Sequence, residues 1–174
     1  IIHKTDGAIF SQLKEELPFE LTLAQERVIE EIKKDMSSKY PMQRLLQGEV
    51  GSGKTVVAVL AAATALGGGY QVAFMVPTEI LAKQHFEKIS PQLREIRIAL
   101  LTSSLKKYDK VKIHKEIKEG KIDLVIGTHS LIQEELIFKN LGLVIIDEQH
   151  KFGVVQRGLL SKKGNNPDIL IMTA

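Results

Sequence analysis

The chain has 174 residues, of which 44% are hydrophobic and 26% charged, and these values suit one ordinary globular domain. It contains no cysteine, which excludes a disulfide framework and a cysteine-ligated metal site. The formal net charge of +3 permits a polyanionic partner. Because aromatic residues make up 5% and tryptophan is absent, a platform that stacks bases is not expected, and a nucleic acid would be held mainly by its backbone.

The sequence shows no sign of membrane insertion or export. The longest run dominated by apolar residues, Val56–Leu66, is too short to span a bilayer. The N-terminal residues, with Lys4 and Asp6 among short apolar pieces, do not resemble a signal peptide. We therefore expect a cytoplasmic protein with no membrane partner.

Amphipathic stretches alternate with short apolar runs along the chain. Most of the apolar runs are continuous, as in strands that are covered on both faces. The alternation predicts an α/β fold with a mostly parallel central sheet, helices on both faces, and ligands beyond the carboxyl ends of the strands. In chain order, the predicted elements are helix Leu23–Ser37, strand Arg44–Gln47, helix Lys54–Leu66, strand Gln71–Val76, helix Glu79–Ile89, strand Arg97–Thr102, helix Tyr108–Glu119, strand Leu124–Gly127, strand Leu143–Asp147, helix Val154–Ser161 and strand Ile169–Thr173.

A glycine-rich segment follows the first predicted strand. Gly48–Thr55 matches the phosphate-loop pattern G-x-x-x-x-G-K-[ST] in full, and a helix rich in alanine and valine comes after it. Glycines let backbone N–H groups converge on phosphate oxygens, and the helix N-terminus adds its positive dipole end. Lys54 would supply positive charge at the β- and γ-phosphates, and the Thr55 hydroxyl would ligate Mg²⁺. The pattern therefore predicts that ATP, or a close relative, is bound with Mg²⁺ through Gly48, Gly51, Ser52, Gly53, Lys54 and Thr55.

Two acidic residues end the apolar strand Leu143–Asp147. Asp147 is suited to hold Mg²⁺ through water, and Glu148 is suited to polarise the water that attacks the γ-phosphate. Taken alone, the pair is equally well explained as ordinary solvated acids at a strand end. Together with the phosphate loop it predicts a hydrolytic site whose catalytic residues are Lys54, Asp147 and Glu148.

Further motifs resemble a known family. Asp147–His150 looks like the DExH box of superfamily 2 helicases, and the longer string Asp147–Val154 resembles the RecG branch-migration helicases. Four other segments share this resemblance: Leu17–Gln25, Pro77–Ala82, Gly127–His129 and Met172–Ala174. The resemblance implies a RecA-like P-loop NTPase domain over residues 17–174. It also implies the ATP-binding motor of an ATP-dependent DNA helicase that remodels branched or forked DNA in recombination and repair.

The resemblance implies an adenine-binding role for Gln25, with Phe19 packing near the base. A glutamine amide offers both a donor and an acceptor, which suits adenine. Thr22 and Gln25 also form a capping-box pattern at the start of the first predicted helix, so capping alone remains an alternative for Gln25.

DNA contact and coupling roles are implied in the same way. Thr78 and Thr128 lie in segments that face the DNA backbone in relatives, although helix capping would also explain them. Gln149 and His150 would couple the γ-phosphate to DNA contacts. Thr173 would begin the motif that links hydrolysis to movement, while from its own sequence context it is equally a strand-end residue.

Some residues depart from the family pattern or lie outside it. Relatives usually carry arginine at the position of Lys151, and lysine keeps its charge but loses its bidentate fork. They usually carry glycine at the position of Ser103, where a side chain could weaken a close approach of the backbone to DNA phosphate. The remaining histidines show no metal-ligand spacing and are interpreted as surface or packing residues: His3, His85, His114 and His129.

The resemblance also implies missing partners in the same parent chain. Superfamily 2 motors close two RecA-like domains around ATP, so a second motor domain is expected after Ala174. Residues 1–16 resemble the tail of a linker from a preceding, junction-binding wedge domain. Because an arginine finger is worth about 10³–10⁵ in rate, we expect the isolated chain to bind nucleotide but to be nearly inactive.

Three alternatives stay open. The translocase of transcription-coupled repair is a close relative, but its box typically reads DEEQ where this chain has DEQH, so His150 favours RecG. A nucleotide-gated DNA-binding module without turnover would describe the isolated fragment. A P-loop enzyme that phosphorylates a small molecule would need neither the DExH box nor the Pro77–Ala82 segment.

Overall fold

The computed structural model describes residues 1–4, 7–48, 53–148 and 154–173, without the side chains of Glu148, Val154 and Val155. The strands in this part of the chain are β1 Gln43–Gln47, β2 Gln71–Met75, β3 Ile98–Leu101, β4 Leu124–Gly127, β5 Leu141–Glu148 and β6 Asp168–Thr173. They form one sheet in the order β1-β6-β5-β2-β4-β3, and every neighbouring pair is parallel.

The helices in the described ranges are α1 Ala8–Glu15, α2 Leu23–Met36, α3 Lys54–Gly67, α4 Glu79–Ile89, α5 Lys107–Lys118 and α6 Val154–Ser161, with a short 3₁₀ helix at His129–Ile132. Each helix and strand predicted from the sequence is confirmed, with ends that differ by no more than two residues. Helix α1 was not predicted, because eight residues give too short a pattern to distinguish a helix from a loop.

Two hydrophobic cores lie on opposite faces of the sheet. Helices α1 to α4 pack on one face, against alternate strand residues such as Val72, Phe74 and Ile145. Helices α5 and α6 and the 3₁₀ helix pack on the other face, against the intervening residues such as Ala73 and Val144. The alternation follows from the two-residue period of a strand, and it confirms the predicted three-layer α/β arrangement.

The N-terminal residues pack on the domain. Phe10 and Leu13 of α1 are buried in the core shared with α3, and Gly7 lies against Gly67 at the end of α3. The backbone N–H of His3 donates to the Met36 carbonyl at 2.9 Å. Residues 7–16 are therefore a packed part of this unit, whatever their role in a longer chain.

Parallel strands bring their carboxyl ends to one edge of the sheet. Gly48, Thr78, Thr128, Asp147 and Thr173, which were selected from the sequence, all lie at this edge or just beyond it. No helix in the described part of the chain is long and apolar enough to cross a bilayer.

Candidate nucleotide and DNA site

A cleft of about 490 Å³ lies beside the N-terminus of α3. Gly53, Lys54 and Thr55 of the phosphate loop form one wall, and Asp147 of β5 and Phe19 contribute to others. Gly53 has a φ of 84°, a left-handed conformation that glycine adopts without strain. The structure thus brings together the lysine, the hydroxyl and the strand-end carboxylate that the sequence predicted to act together.

The Lys54 side chain joins the ends of two neighbouring strands. Its Nζ donates to the Gly48 carbonyl at 2.5 Å and to the Thr173 carbonyl at 2.8 Å. The Gly48 N–H also donates to the Thr173 carbonyl, at 3.1 Å. An ammonium has three donors, so these two bonds direct the charge into the cleft and still permit a further bond. The phosphate-loop lysine is therefore in direct contact with Thr173, the residue expected to begin the coupling motif.

Asp147 lies in a partly buried position near the end of β5. Its side chain is 15% exposed, and its Oδ2 is 3.5 Å from Nε2 of His85 in α4. Asp147 follows Ile145 by two residues, so its side chain extends from the sheet face that carries α3 and α4. This orientation is the reason why the carboxylate reaches the nucleotide cleft.

Several predicted residues lie outside the described part of the chain: Gly51, Ser52, Gln149, His150, Lys151 and Ala174. Glu148 ends β5 and pairs in register with Thr173 of β6, but its side chain is likewise outside that part. Their roles stay as predictions.

Gln25 takes part in the predicted capping box. Its backbone N–H donates to Thr22 Oγ1 at 3.1 Å, and its Oε1 accepts from the Thr22 N–H at 2.9 Å. Its Nε2 fills the space that a Cβ at Gly53 would need. The capping prediction is confirmed, and the same side chain contacts the phosphate loop, which is compatible with the nucleotide role. Phe19 is half-exposed at 49% and lines the cleft.

A second depression, of about 270 Å³, is lined by Thr128 and by Pro77 and Glu79, the two neighbours of Thr78. Thr78 is exposed and caps α4, with its Oγ1 accepting from the Leu81 N–H at 3.2 Å. Thr128 is 7% exposed and precedes the 3₁₀ helix. Gly127 is required here, because a Cβ would collide with the Leu101 carbonyl. Thr78 thus caps α4, while Thr128 forms no side-chain cap, and the DNA contacts predicted for both stay predictions.

Ser103 and Glu79 link two segments at this depression. The Ser103 hydroxyl donates to Glu79 Oε1 at 2.7 Å, and the Ser104 N–H donates to the same oxygen at 2.9 Å. Hydrogen bonds from Ser103, which has the largest effect, and from Ser104 hold the pKa of Glu79 below its ordinary value. Ser103, at a position where the resemblance leads us to expect glycine, therefore makes a specific contact instead of simply filling space.

Two participants were missed by the sequence interpretation. His85 was grouped with surface and packing histidines, and Glu79 was given no role of its own. Each contacts a partner more than twenty residues away, His85 at Asp147 and Glu79 at Ser103, so no local spacing pattern could reveal the pair. The structure shows both contacts because α4 contributes His85 to the larger cleft and Glu79 to the smaller depression.

The donor set of the cleft fits Mg²⁺ bound together with a nucleotide. Among the described residues, no group of three or more histidine, cysteine or acidic side chains could hold a metal by itself. Magnesium typically uses one or two protein oxygens together with substrate phosphates and water. A single carboxylate, Asp147, and a hydroxyl, Thr55, at the same cleft match that requirement.

Comparison with known families decides the class of protein. A family model described as DEAD/DEAH box helicase matches residues 22–174. The chain belongs to this family. The match includes the phosphate loop, both threonine segments and the acidic strand end, which are the features that the fold collects at one edge of the sheet.

Similar individual proteins carry a consistent name. The chain is 56% identical over 164 residues to the ATP-dependent DNA helicase RecG of Aquifex aeolicus, covering 92% of this chain and 21% of that protein. It is 56% identical over 162 residues to the protein of the same name from Streptococcus pneumoniae, covering 93% and 24%. The chain therefore spans about a fifth to a quarter of the length of these curated relatives.

Solved structures agree on the fold. A structure of RecG bound to a three-way DNA junction superposes with a TM-score of 0.88 at 49% identity, covering 99% of this chain and 23% of that one. The helicase MrfA, in a structure with DNA and AMPPNP, gives a TM-score of 0.74 at 15% identity over 98% of this chain and 26% of that one. The second likeness concerns the fold alone.

Proposed function

We propose that the chain is the ATP-binding motor domain of an ATP-dependent DNA helicase that remodels branched or forked DNA. The observation that carries this proposal is the convergence of Lys54, Thr55 and Asp147 on one cleft in a chain of this helicase family. The similarity to RecG proteins over most of the chain favours branched DNA as the substrate. We further propose that the protein acts in the cytoplasm.

In this proposal, nucleotide phosphates bind at the start of α3. Backbone N–H groups of the phosphate loop and the Lys54 ammonium would face the phosphates, where a helix N-terminus favours negative charge. Thr55 and Asp147 would hold Mg²⁺, which neutralises charge that develops on the phosphates. Glu148 would orient and deprotonate the attacking water. Gln25 would recognise the adenine edge, with Phe19 packing beside the base.

Coupling to DNA would use the two segments beyond β2 and β4. Thr78 and Thr128 would contact the DNA backbone, where hydroxyls and helix N-termini donate to phosphate without reading sequence. The bond from Lys54 to the Thr173 carbonyl supports a coupling role for Thr173, because a movement of Lys54 on phosphate binding would alter this contact. Gln149 and His150 complete this set in the proposal.

The proposal includes further parts of a longer protein. A second motor domain would supply an arginine finger, and a wedge domain joined through residues 1–16 would recognise the junction. Since an arginine finger contributes about 10³–10⁵ in rate, the 174-residue chain by itself should bind ATP and hydrolyse it very slowly.

The test is DNA-stimulated ATP hydrolysis by the full-length protein that contains this chain. We expect forked or three-way DNA to stimulate turnover well above linear duplex, and small metabolites to have no effect. Glu148→Gln is the matched control, because it should keep nucleotide affinity and remove turnover. Absence of stimulation by any DNA would exclude the helicase function.

A further inference from the structure

His85 in α4 contacts the carboxylate that is proposed to hold Mg²⁺. Its Nε2 is 3.5 Å from Oδ2 of Asp147, and the two side chains are 13% and 15% exposed. His85 also lines the nucleotide cleft. Neither the phosphate-loop pattern nor the acidic box includes this histidine.

The imidazole of His85 packs against a core aromatic ring, on a helix that is itself anchored in the core. Its ring centroid is 4.9 Å from that of Phe74, at an interplanar angle of 37°, and Phe74 is a core residue of β2 that is 1% exposed. Helix α4 is anchored before and after His85 by Ala82 and Ile89, both fully buried. The ring therefore presents Nε2 to Asp147 from a defined position and is not a freely rotating surface group.

A contact of this kind orients a carboxylate. An imidazole nitrogen held 3.5 Å from Oδ2 favours one rotamer of Asp147 and leaves both carboxylate oxygens in place for a metal ion. Groups that hold metal-binding side chains in position are a general requirement of metal sites, and their loss weakens metal affinity without removing a ligand. His85 has the location and the chemistry for this role.

Helix α4 connects this contact to the predicted DNA-facing edge. Thr78 caps the helix, and His85 follows seven residues later, about 10 Å along the helix axis. A helix with a buried face moves as a unit, so a displacement of its first turn is transmitted to His85. Glu79, in that first turn, is bonded to Ser103 and Ser104 of the neighbouring segment.

We propose that His85 is a positioning residue that orients Asp147 for Mg²⁺ and makes that orientation depend on the DNA-facing start of α4. The inference deepens the proposed function and rests on it, because Asp147 receives its Mg²⁺ role there. It adds a residue that acts through Asp147 and does not itself touch nucleotide phosphate.

The experiment measures binding of a fluorescent, non-hydrolysable ATP analogue to the full-length protein, over a Mg²⁺ titration and in EDTA. His85→Leu should raise the Mg²⁺ concentration needed for half-maximal binding by roughly tenfold and leave affinity in EDTA unchanged. His85→Gln should retain most of the wild-type response, since an amide Nε2 can replace the ring Nε2. His114→Leu, the same exchange in α5 on the opposite face of the sheet, is the matched control and should behave as wild type.

A second measurement repeats the Mg²⁺ titration with forked DNA present. DNA should shift the wild-type midpoint, and the shift should be lost in His85→Leu. The inference is overturned if folded His85→Leu, verified by thermal unfolding, responds to Mg²⁺ and DNA as wild type does. It is also overturned if His85→Gln is as impaired as His85→Leu, because packing would then be the cause. If wild-type protein itself gains no affinity from Mg²⁺, the proposed function fails and the inference fails with it.

Discussion

The two ends of the parallel sheet use polar residues in opposite ways. At the amino end, Gln71 of β2 is 4% exposed and makes three hydrogen bonds, donating to the carbonyls of Ile117 and Ile122 and accepting from the Asn140 N–H. Asp168 of β6 is fully buried, accepts from the Met42 N–H at 2.6 Å and lies 3.0 Å from Nε2 of His3. The polar side chains of Gln71 and Asp168 therefore bond to other residues of the protein and lie away from solvent.

At the carboxyl end, the polar groups face clefts. Lys54, Thr55 and Asp147 are partly exposed around the larger cleft, and Thr78 is exposed beside the smaller one. Polar residues at the amino end of the sheet are therefore buried and bonded within the protein, whereas those at the carboxyl end face solvent-accessible clefts. We infer that the amino end stabilises the fold, while the carboxyl end gives up some internal bonding in order to bind ligands.

The largest effect on stability is expected from Asp168→Ala. The substitution leaves the buried Met42 N–H without its acceptor and removes the carboxylate beside the His3 ring, and breaking a buried pair by removing one partner costs about 3 kcal/mol or more. Urea denaturation should show this loss in the free energy of unfolding, with ATP affinity of the folded protein unchanged. Asp168→Asn keeps an acceptor oxygen for Met42 and should lose less. A loss below about 1 kcal/mol would contradict a stabilising role for this end.

Gln25 combines a contact that stabilises the fold with a predicted contact to the nucleotide, and Gln25→Ala measures the two effects separately. Loss of the bond to the Thr22 N–H should lower stability by about 1 kcal/mol, and loss of the amide should weaken ATP binding roughly tenfold with little change for GTP. Thr22→Ala removes the reciprocal capping bond and should lower stability alone. If Gln25→Ala and Thr22→Ala bind ATP with equal affinity, Gln25 acts in helix capping only.

The smallest effect is expected from Ser103→Gly. The loop loses the bond from the Ser103 hydroxyl to Glu79 and gains flexibility, but it keeps the bond from the Ser104 N–H and the site is at the surface, so the melting temperature should fall by no more than about 2 °C. DNA affinity of the full-length protein should fall about twofold to fivefold, because the glycine loop must be ordered on binding. Tighter DNA binding would indicate instead that the Ser103 side chain obstructs the phosphate backbone.

The sequence predicted the sheet and the helices well because apolar periodicity and turn residues are local signals. Strand Leu124–Gly127 and helix Glu79–Ile89 agree with the structure residue for residue. The phosphate loop and its acidic partner were also found, since their motifs are contiguous. The contacts of His85 with Asp147, Glu79 with Ser103 and His3 with Asp168 were not predictable, because each joins residues far apart in sequence that only the fold brings together.

The most direct test of the account is calorimetric titration of ATP and Mg²⁺ into the wild-type chain and into Lys54→Ala, with the unfolding free energy of both measured in parallel. Lys54 provides charge to the cleft from the junction of β1 and β6, and a hydrogen bond to a charged group contributes about 1.5–3 kcal/mol. We predict that affinity falls by roughly 10- to 100-fold in Lys54→Ala, and that loss of its two carbonyl bonds lowers the free energy of unfolding by about 1–3 kcal/mol while the protein stays folded. Unchanged affinity for ATP in a folded Lys54→Ala protein would contradict the assignment of this cleft as the nucleotide site.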